Sequence, residues 1–108
     1  MHVLTVCYGH PTDPAAFDAY YTSTHAPLAE KIPGMASFTY RHCESLDGSQ
    51  PPYYLIAELS FPSREAMKAA QASPESQAAG ADVPNFATGG VTMFVASDRS
   101  GRGISSRP

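Results

Sequence analysis

Residues 2–8 read HVLTVCY and residues 91–96 read VTMFVA. Both runs are short, rich in β-branched and aromatic side chains, and apolar at both parities. Such a run is a strand covered on both faces, not one with a wet side. These two strands bracket the chain. What lies between them must supply the rest of one sheet and the helices that cover it.

Gly9 to Thr12 makes a turn, and Asp13-Pro14 places an N-cap before a proline at the first helical position. Phe17, Tyr20, Tyr21, Thr24 and Leu28 then recur at helical spacing as one stripe. Pro27 has no N–H for the carbonyl four residues back, so the helix is expected to kink or restart there. Pro33-Gly34 ends it. In ASFTYRHC, residues 36–43, Ala36, Phe38, Tyr40 and His42 share one face of a strand, and Ser37, Thr39, Arg41 and Cys43 the other. A loop with Asp47-Gly48 and two prolines leads to a third strand, YYLIAELSF at residues 53–61. Ser63 can cap the strong helix formers REAMKAAQA. Ser73-Pro74 starts another short helical segment, expected to end at Gly80, and residues 82–90 read as a loop.

The order strand–helix–strand–strand–helix–strand, with short connections and right-handed crossovers, predicts an α+β fold. It is a ferredoxin-like βαββαβ chain with a four-stranded antiparallel sheet in spatial order 4-1-3-2. Both helices then cover one face. The first and fourth strands are apolar on the other face too, so a second copy stacked sheet to sheet is expected to complete a dimeric α/β barrel. The domain spans residues 1–97. Residues 98–108 hold almost nothing apolar and read as a flexible tail, or as an arm ordered by a partner subunit.

With 108 residues, the chain has room for one domain. Ten acidic against seven basic residues give a net charge of −3, which argues against nucleic acid and anionic membranes as partners. The start of the chain does not read as a signal peptide, and two cysteines without a leader read as reduced thiols of a cytoplasmic protein. In the 4-1-3-2 order Cys7 and Cys43 lie on non-adjacent strands, out of reach of a disulfide.

Candidate chemistry centres on His25, four residues after Tyr21 and eight after Phe17, on the buried side of the helix where Pro27 interrupts the backbone ladder. It is either a general acid–base residue or a helix-end histidine bonded to freed carbonyls. Tyr8, Tyr20, Tyr21, Phe38, Tyr40, Tyr53, Tyr54 and Phe94 either line a cleft for a planar apolar ligand or simply pack the core. Glu58 interrupts an apolar strand, so it either faces solvent or is paired inside. The histidines and cysteines show no metal-ligand spacing, and no phosphate loop or nucleophile elbow is present, so no metal and no cofactor is expected.

The segments FDAYYTSTHAPLAEKIPGMASFTY and AELSFPSREAMKAAQASPESQAAGADVPNF together resemble the EthD family, proteins named for ethyl tert-butyl ether degradation. The marks are Phe17, Tyr21, His25, Pro27, Pro33 and Gly34, then Glu58, Phe61, Ser63, Glu65, Ala66, Ser73, Pro74, Asp82 and Phe86. The resemblance covers residues 2–97. It implies a homodimer whose two sheets form a barrel, and a cleft between sheet and helices that contains His25. Related folds include cofactor-free monooxygenases, isomerases, cyclases, dehydratases and proteins without a known reaction, so fold alone does not settle chemistry. Leu59 stands where isomerase-like members use a cysteine, and no tryptophan is present, which departs from quinone-forming monooxygenases.

The expected function is binding of a small apolar or aromatic metabolite, in support or catalysis of an oxidative catabolic or biosynthetic step. His25 is then the acid–base residue, and Tyr21 or Tyr40 orients a substrate oxygen. Tyr8, Phe17, Phe38, Glu58, Asp82 and Phe86 contact the ligand, with Asp82 as a helix cap or a partner of His25. The alternatives are a non-catalytic, stress-related or structural barrel, and a cofactor-free monooxygenase or haem-binding enzyme.

Overall fold

A computed structural model describes residues 1–99. Four strands form one antiparallel sheet: β1 (His2–Tyr8), β2 (Ser37–His42), β3 (Leu55–Phe61) and β4 (Val91–Ser97), in spatial order β2-β3-β1-β4. This is the 4-1-3-2 order read from the other edge. The helices are α1 (Pro14–Tyr20), α2 (Ala26–Glu30), α3 (Arg64–Gln71) and α4 (Pro74–Asp82). The tail expected beyond residue 97 lies, from Ser100 on, outside the described residues. Asp98 still pairs with the start of β1: its N–H donates to the Met1 carbonyl at 3.0 Å.

Local chemistry sets the helix starts. Asp13 accepts from the Ala16 N–H, Ser63 from the Ala66 N–H and Ser73 from the Ser76 N–H, each at 3.1 Å. These bonds satisfy donors that the first helical turn cannot. Of the kink or restart expected at Pro27, the structure has the restart: α2 begins at Ala26 with Pro27 in its first turn, and what precedes it is not α-helical. Between α1 and α2, Tyr21–His25 form a π-helical turn in which the Ala26 N–H reaches back five residues to the Tyr21 carbonyl. The widening falls one turn ahead of Pro27, where the missing N–H and the bulky ring leave the α-ladder unfinished. A difference concerns Gly80. It does not adopt a positive φ and so does not end α4, which runs on to Asp82 and a 3-10 turn, Val83–Asn85.

The inner face of the sheet carries Val6, Tyr8, Leu55, Ala57, Leu59 and Phe61 against Phe17, Tyr21, Ala26, Ala29, Met67, Ala70 and Ala79 of the helical layer, all buried. The opposite face is less apolar than β1 and β4 alone suggest. There β2 contributes Ser37, Thr39 and Arg41, and β3 contributes Ile56, Glu58 and Ser60. Arg41 and Glu58 pair at 3.5 Å in the middle of it. β4 is exposed along its whole length, on both faces: Met93 is 59 % exposed on the helical side and Phe94 51 % on the other. The helices therefore cover β1 and β3 but stop short of β4. Cys7 sits on β1 opposite Ile56, while Cys43 follows β2 on the far side of β3, and both are free thiols.

One close approach limits the path of the chain. A Cβ on Gly89 would lie 2.3 Å from the His10 carbonyl oxygen, and one on Gly9 would lie 2.1 Å from the Gly89 oxygen. Nothing comparable surrounds Gly80, where a Cβ meets no atom within 4 Å. Gly89→Ala is expected to destabilise the fold by about 2 kcal/mol, since backbone must move to make room. Gly80→Ala is expected to stabilise it by roughly 0.5 kcal/mol, because alanine costs less entropy in a helix. Urea denaturation of the two variants checks both signs.

Candidate active site

The π-helical turn aims two side chains at the sheet. Tyr21 and His25 are both buried under it, 1 % and 5 % exposed. They meet Tyr8, the last residue of β1, whose hydroxyl lies 3.5 Å from His25 Nε2. On the other side of the imidazole, Nδ1 lies 3.0 Å from Oδ2 of Asp82, the final residue of α4. Had α4 stopped at Gly80, no carboxylate would reach this position.

Asp82 is itself buried, and its remaining oxygen is fully engaged. The Tyr20 hydroxyl donates to Oδ1 at 2.5 Å and the Asn85 side-chain amide donates to the same atom at 3.1 Å. Burial acts to raise the Asp82 pKa, but hydrogen bonds from Tyr20, Asn85 and His25 outweigh it and hold the carboxyl below its ordinary value. Burial moves His25 the other way. It lowers the imidazole pKa against the opposing pull of Asp82. At neutral pH the pair is therefore a carboxylate and a neutral imidazole. The carboxylate oxygen can only accept, so the imidazole proton sits on Nδ1 and Nε2 presents a lone pair.

His25 and Tyr8, whose hydroxyl lies 3.5 Å from that lone pair, both line an apolar cavity of about 110 Å³ between sheet and helices. Val6, Ala57, Leu59, Phe38 and Met93 form its sheet side, and Tyr21, His25, Ala29 and Val83 its helical side. The polar groups that reach it are His25, Tyr8, Tyr21 and Ser76. Burial pushes the Tyr8 phenol up to about 12 and the Tyr21 phenol further still. Both remain neutral hydroxyls throughout the physiological range. The site thus offers a base and two phenolic donors in a pocket of low polarity.

The other residues singled out in the sequence fall into place around this centre. Phe38 lines the cavity. Phe86 packs on the His25 ring at 4.6 Å between centroids, and Phe17 stacks on Tyr21 at 5.7 Å, so these two form the wall behind the site. Tyr40 lies one layer out, its ring 4.9 Å from Tyr21 and its body partly exposed. Glu58 is not brought to the cleft: it is on the opposite face of the sheet with Arg41. Of the two roles open to Asp82, the geometry selects partner of His25, since its side chain caps no helix. Asn85 was not singled out; its only sequence signal is its place three residues after Asp82. Among the described residues no three His, Cys, Asp or Glu side chains gather where a metal ion could be held. No helix among them is long and apolar enough to cross a membrane.

An uncharacterised 11.0 kDa protein from the thcB–thcC intergenic region of Rhodococcus erythropolis is 51 % identical over 94 residues, covering 87 % of this chain and 91 % of that one. The crystal structure of an ethyl tert-butyl ether degradation family protein from Bacillus halodurans superposes with a TM-score of 0.85 at 30 % identity, over 92 % of this chain and 99 % of that one. SnoaB, a cofactor-independent oxygenase from Streptomyces nogalater, shares the fold at a TM-score of 0.63 and 17 % identity, over 94 % of this chain and 95 % of its own. The EthD domain model matches residues 9–90, which span the π-helical turn, the cavity and Asp82: this chain belongs to the EthD family.

Proposed function

We propose that this protein is a cofactor-free acid–base catalyst acting on a small, mostly apolar molecule that carries an ionisable hydroxyl or an acidic C–H. The observation that carries this reading is the His25–Asp82 pair at 3.0 Å, with His25 and Tyr8 both lining the apolar cavity and the Tyr8 hydroxyl 3.5 Å from Nε2. A buried imidazole held in one tautomer by a carboxylate is a competent general base. The Tyr8 and Tyr21 hydroxyls are placed to hold the oxygen of a substrate as its charge develops. A cavity of about 110 Å³ suits a single-ring molecule; a dry cavity of about 150 Å³ is known to take benzene. It is too small for a macrocycle such as haem. The existence of a cofactor-independent oxygenase on this fold is consistent with chemistry supplied by side chains alone.

The exposed β4 strand supports a homodimer as the working form. Met93 lines the mouth of the cavity and is 59 % exposed, and Val95 and Phe94 continue the uncovered surface. A second copy laid over β4 would remove apolar surface from water and shut that mouth.

Four outcomes are expected. Titration with p-cresol should shift the His25 15Nε2 resonance and saturate; a response confined to surface residues would overturn the reading. Once a substrate is in hand, His25→Ala should lower kcat by roughly 10²–10⁴-fold, measured at a temperature below the variant's own unfolding transition. Acid stability should also report the buried imidazole. The folded His25 pKa lies below its ordinary value of 6.5, so the unfolded chain binds the proton more readily. The stabilisation is present above pH 6.5 and is lost as pH falls below it. Asp82, also lowered from its ordinary value, adds to the loss at more acidic pH. His25→Gln should flatten the decline in melting temperature that begins below about pH 6.5. Finally, sedimentation at low micromolar concentration should give twice the 11.5 kDa chain mass, and Phe94→Asp should shift it towards one.

A further inference from the structure

We propose that Tyr20 and Asn85 are positioning residues, which lock the Asp82 carboxylate so that its Oδ2 alone addresses His25. The proposal rests on the acid–base reading of His25 and extends it to two residues that do not line the cavity. Asp82 divides its two oxygens without overlap. Oδ1 accepts from the Tyr20 hydroxyl at 2.5 Å and from Asn85 Nδ2 at 3.1 Å, while Oδ2 lies 3.0 Å from His25 Nδ1.

Rotation about the last torsion of an aspartate is soft, with broad minima. A single hydrogen bond to His25 leaves the carboxylate free to swing or to exchange its oxygens. Two donors on the other oxygen fix the plane. They also satisfy acceptor sites that would otherwise be buried without partners, a loss larger than that of an ordinary exposed hydrogen bond.

The chain supplies these donors by construction. Tyr20 ends α1 just ahead of the π-helical turn, so it and Tyr21 diverge. Tyr21 enters the cavity, whereas Tyr20 stacks on Phe86 with ring centroids 5.5 Å apart and its hydroxyl on Asp82. Asn85 ends the 3-10 turn that follows α4, three residues past Asp82. Both line a separate hollow of about 220 Å³, with Thr12 and Thr88, on the far side of Phe86 from the substrate cavity. They therefore act on the base from behind, without touching its substrate. The groups facing His25 are Asp82 from α4, Tyr8 from β1 and Tyr21 from its own turn, and Tyr40 of β2 reaches only Tyr21. Of these, Asp82 accepts at Nδ1 at 3.0 Å and is the charged partner, while the Tyr8 hydroxyl, 3.5 Å from Nε2, favours the same tautomer more weakly.

The test is the tautomer of His25, read from 15N shifts of ligand-free protein at about pH 8, where imidazole is neutral. The wild type is expected almost wholly as the Nδ1–H form. Tyr20→Phe keeps the ring on Phe86 and removes only the hydroxyl; Asn85→Ala changes an exposed side chain. In the double variant the Nδ1–H fraction should fall to about half, because a carboxylate free to swing opposes less fully the Nε2–H form that free imidazole prefers, and each single variant should fall between. Met67→Ala, which opens a cavity in the core under α3 and removes no group from around Asp82, should leave the tautomer unchanged; this separates positioning from loss of stability. A double variant that folds and keeps the wild-type tautomer overturns the proposal and leaves the base reading standing. A wild type that is not Nδ1–H, or that is unmoved by Asp82→Asn, overturns the base reading itself.

Discussion

A carboxylate buried beneath the surface must be solvated by the protein or it will not stay charged. Asp82 meets that demand with three donors drawn from three parts of the chain: Tyr20 at the end of α1, Asn85 in the turn after α4, and His25 in the π-helical turn. Two of these bonds tie the N-terminal helical stretch to the C-terminal one, across 62 and 57 residues of sequence. The site is consequently also a structural clasp. Breaking one of its bonds strands a buried charge, so the same residues hold the fold and tune the base.

The aromatic cluster makes this charge tolerable. Phe17, Tyr21 and Phe86 surround Tyr8, with ring centroids 5.5–5.6 Å from it, and Phe86 seals one side of His25. Their bulk excludes water and lowers the basicity of the imidazole. Asp82 works in the opposite direction by favouring the protonated form. Desolvation wins, which leaves a neutral imidazole ready to accept a proton at physiological pH. The hydroxyls of Tyr8 and Tyr21, held neutral by the same burial, add donors without adding charge.

The π-helical turn links backbone chemistry to this placement. Proline at residue 27 withholds one N–H, and Ser23 Oγ adds a competing bond to the Ala19 carbonyl at 2.7 Å. Both loosen the α-ladder locally. The chain answers with one wider turn, and Tyr21 and His25 are the residues it presents to the sheet. Irregular helix of this kind is found mostly at functional sites, since it re-aims side chains that a regular helix would place elsewhere.

Strand order, the N-caps at Asp13, Ser63 and Ser73, and the buried aspect of Phe17, Tyr21 and His25 were legible in the sequence by itself. They depend on periodicity and on bonds between residues a few positions apart. The family was legible too, from motifs spread along the chain. The role of Asp82 was not, because it required knowing that Gly80 stays helical, and glycine permits both outcomes. Nor was the fate of Glu58: alternation put it opposite Ala57 and Leu59, but only the register against β2 set it beside Arg41 on the far face. The second face of the sheet was judged from β1 and β4, whereas its character is set jointly by all four strands. Tertiary structure decided these points because each is a contact between segments far apart in sequence, and no local pattern records which distant group arrives.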